Sequence, residues 1–335
     1  MKQSTIKTLN QNQVIRPLTA AEKKVGRIVM GLSLEVKKKE KVLVVTDNQL
    51  TRSEGAIFFE SAKDFASKVS LVEIQLTGEH GREPPQPVAK MMLKSDLCIL
   101  VTTFSLSHTQ ARVEACLRGA RIVSLPGITR EIILRTLTTD YRKIAQTTVK
   151  LAQILTQGQQ ATITSPAGTN LSLALGRRKA IADTGIFTKP GDFGNLPAGE
   201  AFCAPLEGTA KGTIVFEKSI ADIHLIKPII GQVRKGLLVS FSGDRAAKEL
   251  RKRLNKSDPL AKNIGEFGIG TNPKAKLTGN LLEMEKVKGT VHLALGNNKS
   301  FGGKVQVPFH NDGMILKPTV KIDQQLILKE GRFLV

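Results

Sequence analysis

The chain has 335 residues, of which 41% are hydrophobic and 24% charged, and its formal net charge is +21. This length predicts two domains. We expect a cytoplasmic protein, because the three cysteines form no CxxC pair, no signal peptide follows Met1 and no apolar stretch is long enough to span a membrane. The charge could attract anionic partners, but Trp is absent, Tyr141 is the only tyrosine and no nucleic-acid motif occurs, so we expect solvated basic faces, no specific nucleic-acid partner and no membrane.

The first half of the chain alternates between strand and helix patterns. Short β-branched or apolar runs predict strands at residues 41–47, 69–76, 96–102 and 121–125. Helical spacing occupies residues 54–66, 87–92, 109–118 and 140–156. Strands that alternate with helices predict a parallel sheet with covered faces, so residues 1–157 are expected to form a doubly wound α/β domain.

The pattern changes after the polar segment at residues 156–160. Short strands separated by glycines are predicted at residues 161–164, 171–175, 212–216, 237–241, 289–295 and 313–316. Helices are predicted only at residues 246–255 and 258–264 within this half. Residues 158–335 are therefore expected to form a β-rich α+β domain.

Acids and histidines recur among glycines in this second domain. The candidate metal ligands, in chain order, are Glu200, Glu266, His292, His310 and Asp312. Neutral imidazoles and carboxylates bind Zn, Co, Mn or Fe(II). His310 and Asp312 stand two residues apart, which on a strand places both side chains on one face.

Each of these residues also has an ordinary explanation. His292 in an apolar run is typical of a buried core histidine, and Glu200 after a Pro-Ala-Gly turn is typical of a surface acid. Cys203 could line the site, although a small buried residue is the simpler interpretation. His108, in a polar loop after the third predicted strand, is a weak candidate for substrate binding because carboxyl-end crevices of such sheets bind ligands.

Taken together, two histidines and three acids can hold two divalent ions, or one ion with a free acid as proton carrier. In a two-metal hydrolase the ions generate a hydroxide, and a nearby carboxylate such as Glu200 or Glu266 carries its proton to the leaving amine.

Four segments resemble the aminopeptidase T family of metallo-aminopeptidases. They are Asn195–Pro205, Gly265–Pro273, Glu283–Gly296 and His310–Asp312, with weaker similarity at Ser107–Arg112 and Gly119–Gly127. The resemblance implies that Glu200, Glu266, His292, His310 and Asp312 hold two ions (Zn, Co or Mn). It also implies release of N-terminal amino acids from short peptides, and a homodimer.

The chain departs from that family in two ways. It is shorter than the characterised members, and Asn297–Phe301 lacks the tyrosine that they carry after the first histidine. The chain resembles a shorter branch of the family, which is similar to 2,5-dihydroxypyridine dioxygenases. These enzymes hold Fe(II) with two His and one Asp, a pattern that His292, His310 and Asp312 satisfy. We expect an aminopeptidase, because two extra acids favour two ions. The alternatives are a ring-cleaving Fe(II) dioxygenase and a non-catalytic binding protein.

Overall fold

The computed structural model describes residues 6–220 and 223–335, so the first five residues of the N-terminal segment lie outside the described part. The chain forms two compact units. The first comprises Met1–Arg142 with Gly185–Ala198, and the second comprises Lys143–Thr184 with Gly199–Val335. The division falls at the start of the long helix rather than at residue 157, and a short later segment returns to the first unit.

Strands and helices of the described residues have the following bounds. The strands are β1 (Lys7–Asn10), β2 (Lys41–Asp47), β3 (Lys68–Ile74), β4 (Leu97–Val101), β5 (Arg121–Ser124), β6 (Gln160–Thr164), β7 (Asn170–Ala174), β8 (Ile181–Asp183), β9 (Phe193–Asn195), β10 (Glu200–Cys203), β11 (Lys211–Phe216), β12 (Ser219–Ile220), β13 (Ile223–His224), β14 (Ile229–Arg234), β15 (Leu237–Ser242), β16 (Ile264–Gly270), β17 (Val291–Gly296), β18 (His310–Ile315), β19 (Thr319–Ile322), β20 (Gln325–Lys329) and β21 (Arg332–Phe333). The helices are α1 (Ala20–Ile28), α2 (Ala56–Ala62), α3 (Gln86–Met92), α4 (Gln110–Leu117), α5 (Arg130–Thr136), α6 (Tyr141–Gln157), α7 (Arg245–Lys256) and α8 (Leu281–Met284). Short π-helical turns lie at Val29–Ser33 and Thr51–Gly55, and 3₁₀ turns at Pro259–Lys262 and Lys299–Phe301.

The first unit contains a six-stranded sheet in the order β1-β3-β2-β4-β5-β9. Strands β3, β2, β4, β5 and β9 are parallel, and β1 is antiparallel at the edge. This parallel order is one of the two common doubly wound arrangements. Leu43 and Val45 of β2 pack in one buried cluster with Val88 of α3 and Ala115 of α4. The α/β prediction for this half is confirmed.

The second unit contains two antiparallel sheets. One has seven strands in the order β13-β12-β18-β17-β16-β10-β8, and the other has eight in the order β15-β14-β11-β7-β6-β19-β20-β21. Apolar side chains from both sheets form one buried core, for example Phe267 and Leu293 of the first sheet with Ile163 and Val320 of the second. The β-rich prediction for the second half is confirmed, and the seven-stranded sheet carries the candidate ligands.

Among the described residues, no helix is long and apolar enough to cross a membrane.

Candidate metal centre

The five candidate ligands lie on four neighbouring strands of the seven-stranded sheet. Glu200 begins β10, Glu266 lies on β16, His292 on β17, and both His310 and Asp312 on β18. The strand register places one small residue, Ala294 of β17, between two of the acids. Ala294 pairs with Asp312 on one side and, at a β-bulge, with Glu266 on the other.

The glycines near Glu266 have a steric role in a strand. The sequence predicted a helix at residues 258–264 just before Glu266, but that segment contains one 3₁₀ turn and Glu266 lies inside β16. Gly268 pairs with His292 across the sheet. A Cβ atom built on Gly268 would lie 2.8 Å from Cδ2 of His292 and closer still to Nε2. The missing side chain therefore makes room for the imidazole ring.

Glu266 lies between the two imidazoles. Its Oε1 atom is 3.3 Å from Nε2 of His292, and its Oε2 atom is 3.4 Å from Nε2 of His310. Asp312 Oδ2 is 3.6 Å from the same His310 nitrogen. Donor atoms of Glu266, His310 and Asp312 all lie within 4.8 Å of one another, so one ion can reach all three.

The third acid, Glu200, also faces His292, with Oε2 3.3 Å from the same Nε2 atom. Three polar atoms of this set are buried without a hydrogen-bond partner among the described residues: Glu200 Oε2, His292 Nδ1 and Asp312 Oδ1. Buried polar atoms are almost always paired, and a bound ion satisfies such atoms where protein partners are lacking. The donor set therefore fits a metal ion.

A backbone contact fixes the orientation of His310. Its Nδ1 atom lies 2.8 Å from the carbonyl oxygen of Asn297, which accepts a hydrogen bond from Nδ1 when Nδ1 carries a proton. This leaves Nε2 free to bind a metal, as in metal sites where the second ring nitrogen donates to a carbonyl. The His310 side chain keeps 35% of its surface exposed while His292 keeps 1%, so the site opens to solvent beside His310.

The acids reverse the effect of burial on both imidazoles. Burial alone lowers the pKa of His292, but the hydrogen bond with Glu266 and the charges of Glu200 and Asp312 raise it to about 9. Burial likewise opposes the charged form of His310, yet Asp312 and Glu266 raise its pKa to about 10. Burial favours the neutral form of Glu266, and the two histidines outweigh it and lower its pKa to about 2. In the metal-free protein at neutral pH the imidazoles therefore carry protons.

This protonation predicts how metal binding depends on pH. Loading Mn(II) at pH 7 is expected to release about two protons per chain, because both imidazoles must lose a proton before they bind an ion. The release should fall as the pH rises through about 9 and 10, where His292 and His310 lose these protons without the metal. Calorimetry in buffers of different ionisation enthalpy measures this number. A release near zero at pH 7 would contradict the prediction.

The sequence interpretation missed a buried lysine beside this set. Lys286 follows α8, and its Nζ atom lies 2.5 Å from Oε1 of Glu200. Burial opposes the charge on Lys286, but Glu200, Glu285 and Asp183 outweigh it and raise the pKa of the ammonium. Alternating acids and lysines within Glu283–Lys288 are typical of a solvated turn, so the local sequence contains no signal for this contact.

Two weaker candidates lie elsewhere. Cys203 packs in the core of the second unit, where burial raises the pKa of its thiol to about 12, so the structural interpretation of this residue holds. His108 is exposed and belongs to the first unit, in the loop between β4 and α4. A role for His108 in substrate binding stays a prediction.

Aromatic rings border the exposed side of the donor set. Phe301 packs edge-on against the ring of His310 with centroids 5.8 Å apart, and Phe202 packs edge-on against Phe301 at 5.6 Å. Both phenylalanines are half-buried. Phe301 ends the segment Asn297–Phe301, which contains no tyrosine.

Comparisons with known proteins place this chain in a family. The sequence model of the NicX family, described as 2,5-dihydroxypyridine 5,6-dioxygenase, matches residues 27–335. A curated 2,5-dihydroxypyridine 5,6-dioxygenase from Pseudomonas putida is 25% identical over 249 residues, which cover 70% of each chain.

Two solved structures share the fold. A 2,5-dihydroxypyridine dioxygenase from Pseudomonas putida superposes with a TM-score of 0.80 at 22% identity, covering 95% of this chain and 99% of that chain. AmpT from Thermus thermophilus superposes with a TM-score of 0.68 at 16% identity, covering 94% of this chain and 99% of that chain. The similarity to aminopeptidase T is therefore one of fold alone.

These findings correct the expected activity. The prediction of an aminopeptidase, and with it a hydrolase or protease, is wrong, because the family and the curated relative are dioxygenases. The two Zn, Co or Mn ions that the resemblance to aminopeptidase T implied are not supported, whereas a metal-dependent dioxygenase is consistent with the family. The prediction failed because it assumed that both extra acids were free to bind metal, whereas Glu200 is ion-paired with Lys286. The chain belongs to the 2,5-dihydroxypyridine 5,6-dioxygenase family.

Proposed function

We propose that this chain binds one Fe(II) ion through His292, His310 and Asp312 and uses O2 to open the ring of a dihydroxypyridine. Two histidines and one carboxylate form the facial arrangement of non-haem iron oxygenases, which leaves open positions for substrate and oxygen. When bound, Fe(II) supplies the one-electron chemistry that allows O2 to react with an aromatic ring. The 2,5-dihydroxypyridine activity of the curated relative suggests the class of substrate.

One observation carries the proposal. The His310 ring is held by the Asn297 carbonyl so that Nε2 points toward Asp312 and Glu266, and Asp312 Oδ1 is buried without a hydrogen-bond partner among the described residues. A carboxylate that has one oxygen without a partner, and the other 3.6 Å from an imidazole nitrogen in its metal-binding orientation, is what a single ion would satisfy.

We further propose distinct roles for the two acids outside this triad. Glu266 has one oxygen 3.3 Å or 3.4 Å from Nε2 of each imidazole, so it lies beside the position of the ion and within its reach. Its Oε2 atom also lies on the His310 side, where solvent reaches the site, and can accept a hydroxyl proton from an arriving substrate. Glu200 also faces Nε2 of His292 with Oε2, while its other oxygen is held by Lys286.

Phe301 and Phe202 supply a surface suited to a flat ring. Aromatic rings attract one another in edge-to-face or offset geometry by about 0.5–1.5 kcal/mol beyond the area that they bury. A dihydroxypyridine bound beside His310 would contact this wall with its ring while its hydroxyl groups face the polar donors. Phe301 and Phe202 would therefore contribute to the choice of an aromatic substrate.

The wall gives a test of substrate binding. We expect Phe301→Ala to raise KM for 2,5-dihydroxypyridine by roughly 5- to 10-fold with a small change in kcat, since about 1 kcal/mol of ring contact is lost. Steady-state oxygen uptake measures both constants. The matched control is Phe241→Ala, which removes a ring that packs against Arg251 instead. An unchanged KM for Phe301→Ala would contradict this role.

The function itself is tested with the purified chain. After anaerobic loading with Fe(II), addition of 2,5-dihydroxypyridine in air should consume one O2 for each ring lost, followed with an oxygen electrode and the ultraviolet absorbance of the ring. The same protein without iron should consume none. Absence of oxygen uptake by the iron-loaded protein across a panel of dihydroxypyridines and dihydroxybenzenes would overturn the proposal.

A further inference from the structure

A buried cation lies next to the proposed iron site and takes no part in the proposed reaction. The Lys286 side chain is 4% exposed, and carboxylate oxygens surround its ammonium group. Nζ lies 2.5 Å from Glu200 Oε1, 3.2 Å from Glu285 Oε2 and 3.9 Å from Asp183 Oδ2. Carboxylate oxygens are also the ligands of divalent cations, so the ammonium occupies a position that a metal ion would suit.

The backbone holds Lys286 at this position. Asn272 donates a hydrogen bond to the carbonyl oxygen of Lys286, and Lys288 donates one to the carbonyl oxygen of Asn272. Gly270 allows the close approach, because a Cβ atom there would lie 2.8 Å from the carbonyl oxygen of Glu285 and closer to that of Val287. Gly270 pairs with Glu200 across the sheet, so the same contact brings the lysine over this acid.

The acids around the ammonium need a positive charge. Glu200 and Asp183 pair directly across β10 and β8, and like charges in that arrangement destabilise a sheet. Burial raises the pKa of Asp183 to about 7 even though Lys286 lowers it. Removing the cation would leave several buried carboxylates without compensation.

Glu200 connects the ammonium with the iron site. Its Oε1 atom contacts Lys286, and its Oε2 atom lies 3.3 Å from Nε2 of His292. In two-metal sites a pair of ions about 3.5–4 Å apart shares ligands of this kind. Here one end of the carboxylate faces the ligands of the proposed ion and the other end faces a lysine.

We propose that the Lys286 ammonium takes the place of a second divalent ion and thereby limits the site to one metal. This inference rests on the proposed single-iron function. A fixed positive charge at Glu200 repels a second divalent ion, and it also holds one oxygen of the carboxylate that such an ion would need. The residue thus selects between one-ion and two-ion chemistry on a sheet whose five candidate ligands would suit either.

The number of bound ions tests this proposal. Mn(II) is the probe, because it does not oxidise readily and its paramagnetic resonance spectrum separates isolated ions from exchange-coupled pairs. Equilibrium dialysis against Mn(II) followed by elemental analysis should give one ion per wild-type chain. Lys286→Met should bind a second ion and give the spectrum of a coupled pair. Lys286→Arg keeps the charge and should remain at one ion.

A second variant tests the inference without adding net negative charge to the buried site, in case Lys286→Met fails to fold. Glu285→Gln combined with Lys286→Met removes one negative and one positive charge together, so the net buried charge is unchanged, and it should also bind a second ion. Two ions in the wild-type chain, or one ion in both folded Lys286→Met and the folded double variant, would overturn the inference.

Oxygen uptake distinguishes failure of the inference about Lys286 from failure of the proposed ring-cleaving function. Ring cleavage by a wild-type chain that binds two ions would reject the inference alone. One bound ion without ring cleavage would reject the function alone.

Discussion

Replacing His310 by alanine is expected to abolish oxygen-dependent ring cleavage and to weaken Fe(II) binding by more than about 100-fold. Loss of a residue that only orients a metal ligand already costs roughly 10- to 100-fold in affinity or activity, and loss of the ligand itself should cost more. The change removes the Nε2 atom that faces both Asp312 and Glu266. Competition with a chromogenic chelator measures the affinity, and oxygen uptake measures the activity.

The matched control is His224→Ala, which removes an exposed histidine on β13 of the same sheet. It should leave iron binding and oxygen uptake unchanged. The His310 variant should keep its fold, because this side chain is 35% exposed and its loss leaves no large buried cavity. Wild-type iron affinity in folded His310→Ala would contradict the assignment of His310 as a ligand.

Replacing Gly268 by alanine is expected to disrupt the site although Gly268 carries no side chain of its own. The added methyl group would overlap the imidazole of His292, which is buried and cannot move into solvent. Overpacking of this kind costs about 1–3 kcal/mol of unfolding free energy. Displacement of His292 should in addition lower iron affinity by about 100-fold. Chemical denaturation and chelator competition measure the two effects.

Gly31→Ala is the control for the added methyl group. A Cβ atom at Gly31 would meet Phe65 Cε1 at 3.5 Å, an ordinary van der Waals distance. We expect this variant to bind iron as the wild-type chain does. If Gly268→Ala also kept full iron affinity, His292 would not be held where the structure places it.

The sequence predicted the parallel strands β2 to β5 of the first unit and six strands of the second, but not β10 and β16, which carry Glu200 and Glu266. The strands β2 and β4 are apolar runs that any buried parallel strand would have, so their positions followed from composition. The strands β10 and β16 were missed because glycines and acids interrupt the apolar pattern. Gly268 and Gly270 lie in a strand because other segments pack directly over them: the His292 ring over Gly268 and the backbone at Glu285 and Val287 over Gly270.

The candidate site shows a similar division. The residues Glu200, Glu266, His292, His310 and Asp312 could be singled out because histidines are rare in this chain and these acids lie among glycines. Their distances could not be foreseen, since they depend on the register of four strands. The reaction class was predicted wrongly for a related reason. Lys286 reaches Glu200 across 86 positions of sequence, and no local pattern links the two residues.

Labelled oxygen gives the most direct test of the central claim. The iron-loaded chain would be supplied with 2,5-dihydroxypyridine under ¹⁸O2, and the product would be analysed by mass spectrometry. Our account predicts a ring-opened product that contains both atoms of the labelled O2. A product that carries oxygen from water instead, or a chain that releases amino acids from peptides and leaves the ring intact, would contradict it.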